Sequence, residues 1–145
     1  MNQTSKTVWE LLWDYDPNGL VVVDRQLVVR ITNPAFCEMF KTSRQDLIGR
    51  EVGAVLDDTD DFQAVWEGEQ ILRSEKRYPR HDLYVKKVMF AMHDQGLMAC
   101  IMVDITHEWK QKQELLRLKE ETLRNVGLVV DKQMKVAQEI AGLLG

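Results

Sequence analysis

Residues 102–111 read Met102-Val103-Asp104-Ile105-Thr106-His107-Glu108-Trp109-Lys110-Gln111, and this stretch decides the fold. The apolar run LMACIMV, residues 97–103, collapses within three residues into charged, glutamine-rich sequence. A buried strand therefore feeds a long exposed helix across a short acid-Ile-Thr hinge. Beyond the hinge, positions 105, 109, 112, 116, 119, 123, 126, 130, 133, 137, 140 and 144 follow steps of three and four, and nine of these twelve are apolar. That spacing over nearly six heptads is a coiled-coil seam. Trp109, Leu116, Leu123, Val126, Val130 and Ile140 are its candidate contacts, and they predict a parallel homodimer. Lys112, Lys119 and Gln133 are flaws in the seam, and Gly127 weakens the helix by about 1 kcal/mol relative to Ala. A helix that breaks near Gly127 and folds back is the alternative.

Upstream of the hinge the chain alternates between strand and helix signals. LYVKKVMFAM and GLMACIMVDI are two strands joined by His93-Asp94-Gln95-Gly96. KRYPRH is a short strand whose Pro79 cannot donate to a ladder, which suits a sheet edge. Near the start, GLVVVD and LVVRIT form a hairpin around Asp24-Arg25-Gln26, a turn without the expected glycine. Asn33-Pro34 then opens a short helix, NPAFCEMF, with Asn as N-cap and Pro in the first turn. Phe36 and Phe40 share its inner face. Ser43-Arg44-Gln45-Asp46 opens another helical turn that Gly49 ends. The run DDTDD, residues 57–61, reads as the solvated cap of a longer helix carrying Phe62, Val65, Trp66, Glu69, Ile71 and Leu72. A first helix, SKTVWELLWDY, has Thr4 or Ser5 available as cap and stops at Asp16-Pro17-Asn18-Gly19. Strands on both sides of a helical block predict an α+β fold, one antiparallel sheet covered on one face by helices. The predicted divisions are residues 1–16, a first helix; 17–107, the globular domain; and 108–145, the coiled-coil helix.

Composition narrows the function. At 145 residues, 45% hydrophobic and 29% charged, the chain is ordinary for one soluble domain. Its net charge of −4 is not gathered into a basic stripe, which argues against nucleic acid and anionic membrane as partners. No apolar run is long enough to span a bilayer. MNQTSKTVWELL lacks the apolar stretch of a signal peptide, and Cys37 and Cys100 form no CxxC pair, so a reducing cytoplasm is expected. Catalysis has little support, because the chain has no GxSxG, no HExxH and no phosphate-cradling glycine loop. DDTDD lacks the glycine and terminal glutamate of a calcium loop.

Four of these stretches, in register, resemble the PAS domain, a sensory module of bacterial signalling proteins. They are NGLVVVD, Asn33 opening NPAFCEMF, SRQDLIGREV, and VDIT leading into a helix. The resemblance covers residues 8–107; Arg25-Gln26 depart from it where relatives commonly carry glycine. It implies strand order 2-1-5-4-3 with KRYPRH on the outer edge. The tail KQMKVAQEIAGLLG further resembles a segment that follows the PAS domain in iron-hydrogenase-like bacterial proteins. That match implies a piece of a larger, redox-related polypeptide.

The family holds haem, flavin, small carboxylates or nothing, and the sequence names no cofactor here. Residues 57–75 contain no histidine to ligate haem. His81, His93 and His107 lie beside turns or strand ends, where exposure is expected. Cys37 sits in PAFCEMF, outside the NCRFLQ-like stretch that a photoactive flavin site needs. Two distant cysteines do not make an iron–sulfur site. Met39, Met89, Met92, Met98 and Met102 would make either ordinary core or an adaptable apolar pocket. The candidate ligand contacts are Phe36, Phe40, Trp66, Phe90, Met92 and Met102. Asp104 and Thr106 are the candidate relay, short polar groups able to bond backbone where strand becomes helix. The expected function is a dimeric sensor passing a change through that joint to an output domain; a ligand-free structural module within a larger iron–sulfur protein is the alternative.

Overall fold

The computed structural model describes residues 6–68 and 70–144. In chain order the elements are α1 (Val8–Tyr15), β1 (Gly19–Asp24), β2 (Val29–Thr32), α2 (Pro34–Met39), α3 (Arg44–Leu47), α4 (Asp60–Glu67), β3 (Leu72–Tyr78), β4 (Leu83–Met92), β5 (Leu97–Asp104) and α5 (Thr106–Leu144). The five strands form one antiparallel sheet in the order β2-β1-β5-β4-β3. β1 and β5, distant in sequence, pair at the centre from Gly19 opposite Met102 to Asp24 opposite Leu97. Every residue of β1 is buried, which matches the unbroken apolar run at 20–23 in place of an alternating one.

Side-chain alternation sets the core. Leu83, Val85, Lys87 and Met89 of β4 share one face with Met98, Cys100 and Met102 of β5. Except for Lys87, that face joins Phe36, Phe40, Leu47, Phe62 and Val65 from α2, α3 and α4 in a single buried cluster. Gly19 permits the close approach of α2 to β1: a Cβ there would stand 2.7 Å from Met39 Sδ and 3.2 Å from Phe36 Cα.

Several local expectations change. Thr7 caps α1, its Oγ1 accepting from Glu10 N at 3.2 Å; Thr4 and Ser5 lie outside the described residues, as does Glu69. The first hairpin turn needs no glycine. Leu27 takes the left-handed conformation at φ 64°, and Asp24 Oδ1 accepts from Gln26 N and Val28 N at 2.9 and 3.0 Å. A side-chain carboxylate thus supplies the turn bonds and offsets the strain of a left-handed leucine. β2 consequently starts at Val29 and not at Leu27.

The helix after the acid run is shorter than its apolar stripe suggested. α4 ends at Glu67, where the Gly68 amide closes on Ala64 O; Ile71 is exposed and Leu72 already belongs to β3. β3 is indeed an outer edge, but it begins earlier than KRYPRH, and Pro79 starts a 3₁₀ turn after it.

The chain divides into two compact units at Thr106/His107. In the second, α5 is one continuous 39-residue helix, running through Gly127 and Gly142 without a break. It buries no residue within the chain, and Leu116, Leu123, Val126, Val130 and Ile140 are all exposed.

Candidate functional site

Phe36, Phe40 and Met102 come together as expected. All three are buried, and the Phe36 and Phe40 rings stand 4.7 Å apart. Phe40 also meets Tyr78 edge-on at 5.3 Å and His81 at 5.0 Å. Trp66 packs on this cluster from its rim, half-buried, under the Arg25 guanidinium at 4.7 Å and beside the His93 ring at 4.6 Å. Phe90 and Met92 do not join them. Both are of opposite parity to Met89 on β4, so the pleat turns them to the other face of the sheet. The interior wall is also more closely filled than a roomy pocket would require: Phe36, Phe62, Val65, Met89 and Met102 are each at most 2% exposed.

An unexpected polar group sits in this wall. Lys87 is buried in an otherwise apolar register, its side chain 2% exposed, and its Nζ donates to Asp61 Oδ2 at 2.8 Å. The sequence does carry the signal, since positions 83, 85, 87 and 89 read Leu, Val, Lys, Met. Nearby, burial pushes the Cys100 thiol up to about 12, opposed by the Lys87 charge. Burial likewise raises the Tyr78 phenol. The Tyr78 hydroxyl and Ser74 Oγ are both buried without a hydrogen-bond partner.

DDTDD is therefore not merely a solvated cap. Asp57 pairs with Arg80 at 3.1 Å, Asp58 with Lys76 at 2.8 Å and Asp61 with Lys87, so the run clasps the start of α4 to the sheet side. Asp58 also does the capping that Thr59 does not, its Oδ1 accepting from Asp60 N at 3.0 Å. The Lys76 hydrogen bond holds the Asp58 carboxyl below its ordinary value. Its stabilising contribution is present above the unfolded carboxyl's pKa and disappears as pH falls through the folded one.

At the hinge the side chains bond backbone on both sides of the joint. Thr106 Oγ1 accepts from Tyr84 N at 2.9 Å, and Ile105 N donates to Tyr84 O at 2.9 Å, so the start of the helix is bolted to β4. Asp104 Oδ1 receives Thr106 N at 2.9 Å and the Thr106 hydroxyl. One carboxylate thereby orients the hydroxyl that grips the neighbouring strand.

A second hub escaped the sequence reading beyond its capping role. Buried Asn33 accepts from Leu20 N and Phe36 N through Oδ1 at 2.8 and 3.0 Å. Its Nδ2 donates to Trp13 O and Asn18 O at 3.2 and 2.9 Å. A cleft of about 970 Å³ opens beside it between α1 and α2, lined by Leu11, Asp14, Tyr15, Pro34, Cys37 and Glu38 among others. His93 and His107 are exposed as expected, but His81 is half-buried with Nε2 unpartnered. Among the described residues no group of His, Cys, Asp and Glu could hold a metal ion, and no helix is long and apolar enough to cross a membrane.

A five-stranded antiparallel sheet of this order, with short helices over one face, defines a small α+β module. A family model described as a PAS domain matches residues 17–107, and the chain belongs to that family of sensory modules of signalling proteins. Solved structures agree on the fold. The PAS domain of an HTR-like protein from Haloarcula marismortui is 21% identical, with a TM-score of 0.56 over 67% of this chain and 94% of that one. The PAS domain of nitrogen regulation protein NR(II) from Vibrio parahaemolyticus is 13% identical, with a TM-score of 0.58 over 69% and 100%. The PAS domain of BvgS from Bordetella pertussis is 18% identical, with a TM-score of 0.52 over 78% and 91%. No curated protein matches the chain.

Proposed function

We propose that this chain is a cytoplasmic regulatory PAS module, dimeric through α5. It binds a small ligand between the sheet and α2 and α4, then relays the change across Asp104 and Thr106. The observation that carries this reading is the hinge: Thr106 bridges β4 and the start of α5 while Asp104 holds its hydroxyl. A ligand can bias a helix only by favouring one of two states, and a stiff joint passes on a bias that a loose one dissipates. The tail resemblance supports a host that is a larger bacterial redox protein. An α5 beginning at the family's hinge supports an output beyond it.

The relay is tested by spin labels near Gln113 on the paired helices. Asp104→Ala with Thr106→Ala removes contacts worth about 0.5–2 kcal/mol each and leaves a folded domain. A ligand-dependent change of the label distance is expected in the parent protein and not in the double mutant. Its survival in the double mutant would show that the signal travels another way.

The filled interior favours a second reading, a ligand-free interaction module inside a larger iron–sulfur protein. Native mass spectrometry of the purified protein separates the two, because bound mass and oligomeric state are read together. Phe40→Leu trims the candidate wall at a stability cost of about 1–2 kcal/mol. On the ligand reading it weakens binding of a stabilising small molecule by roughly 10-fold, measured by calorimetry. Equal affinity in the mutant would remove Phe40 from the contact surface.

A further inference from the structure

We propose that the cleft between α1 and α2 is a separate ligand site, for a free α-amino acid with a bulky aliphatic or aromatic side chain. This goes beyond the reading above and stands whether or not the interior between sheet and helices takes a ligand. At about 970 Å³ the cleft lies at the upper end of the range that small-molecule sites occupy. α1 forms one side of it and buries none of its own residues. Leu11 and Tyr15, which line that side, are 42% and 82% exposed. Pro34 and Cys37 line the α2 side. An apolar side chain seated between them would take surface of both helices out of water.

The charges of the cleft select the class. Lys6 and Arg44 line it against Asp14 and Glu38, so its formal charge is zero. Lys6 and Asp14 pair with each other. Arg44 and Glu38 make no ion pair among the described residues, yet both border the same space. The Arg44 charge is felt in that space: burial raises the Cys37 thiol, and the Thr32 hydroxyl and Arg44 oppose the rise. A carboxylate and an ammonium on one carbon would join two side chains that do not reach one another, each by a charge-assisted hydrogen bond. A simple carboxylate would leave Glu38 repelled, and a simple amine would leave Arg44 so. Occupancy also bears on α1. That helix is tied down by the Trp13 indole nitrogen donating to Thr32 O at 3.1 Å and by Asn33 Nδ2 donating to Trp13 O at 3.2 Å. A ligand against Leu11 and Tyr15 would add an apolar contact to those bonds and fix α1 against α2.

The test uses the full chain and titration calorimetry, with tryptophan emission as a second readout because Trp9 and Trp13 belong to α1. The probes are phenylalanine, leucine and glycine, together with N-acetylphenylalanine and phenylalaninamide, each of which lacks one of the two charges. Phenylalanine and leucine should bind saturably with Kd of roughly 0.1–1 mM, and glycine and both blocked derivatives at least ~10-fold more weakly. Arg44→Gln and Glu38→Gln each remove one charge from an exposed position, so both variants should fold. Each should lose at least ~10-fold in affinity for phenylalanine. Undiminished affinity in either glutamine variant overturns the proposal, and so does a blocked derivative that binds as tightly as phenylalanine. Glycine binding as tightly as phenylalanine overturns the apolar part of the assignment. Tighter binding of phenylalanylglycine, whose charges stand further apart, overturns the free amino acid in favour of a peptide. Absence of any saturable heat or emission change with phenylalanine and leucine, in parent protein shown to be folded by circular dichroism, overturns the site itself.

Discussion

Replacing Asn33 with alanine should lower the stability of the domain by about 3–5 kcal/mol, combining a lost N-cap with buried groups left unbonded. The side chain is 1% exposed and serves four chain segments at once. Its oxygen receives Leu20 N on β1 and Phe36 N in the first turn of α2. Its nitrogen donates to the carbonyls of Trp13 at the end of α1 and Asn18 before β1. Alanine satisfies none of these. For a domain of this size the loss corresponds to a fall in Tm of at least ~12 °C, measured by circular dichroism. Asn33→Asp separates the two halves of the role: it keeps the acceptor for β1 and α2 but turns a carboxylate toward two carbonyls. The aspartate variant should therefore also destabilise, and should release Trp13, whose indole nitrogen donates to Thr32 O at 3.1 Å. A loss below 1 kcal/mol for Asn33→Ala would show that the hub is dispensable.

Leu116→Asp with Leu123→Asp should convert a dimer into a monomer and leave residues 17–107 folded. Both leucines are exposed within the chain, at 45% and 71%, and stand a heptad apart on a helix that buries none of its residues. A 39-residue helix, about 58 Å long, gains most of its stability from packing an apolar face. Leu115, Val129, Val136 and Leu143 lie one position before Leu116, Val130, Ala137 and Leu144 and widen the apolar face. Two aspartates per chain at seam positions would place four carboxylates in the dimer's apolar core, a cost far beyond ordinary surface substitution. Sedimentation equilibrium should report half the parent mass. An unchanged mass would remove α5 as the dimer contact.

Much of the architecture was legible in residue order. The strand-to-helix transition at MVDITHEWKQ, Asn33-Pro34 as a helix start, Gly49 as a stop and the heptads beyond Ile105 are local or periodic signals, and each reports the backbone state of its own neighbourhood. The family resemblance added the strand order, which no periodicity contains. Local signals also misled where the competing feature was itself a side chain. Leu27 turns the first hairpin because Asp24 bonds the turn's amides, and Ile71 and Leu72 leave the helical stripe because Gly68 has already ended α4.

The candidate wall shows the same division more sharply. Phe36 and Phe40 could be placed together from their spacing of four, and Met102 from its strand. Phe90 and Met92 could not be placed correctly by composition alone, because a strand sends neighbours to opposite faces and only pairing decides which face is covered. The sequence by itself determined which segments are strand or helix, where α2 and α3 begin and end, and that α5 carries an apolar seam. Tertiary structure alone decided that Lys87 finds Asp61 across 26 residues, that Thr106 grips Tyr84 across 22, and that Asn33 joins β1 to α1. Backbone preferences and periodicity act over a few residues, so they are written locally. A buried charge or amide is tolerable only when a partner arrives from elsewhere in the chain, and that arrival is a property of the assembled sheet.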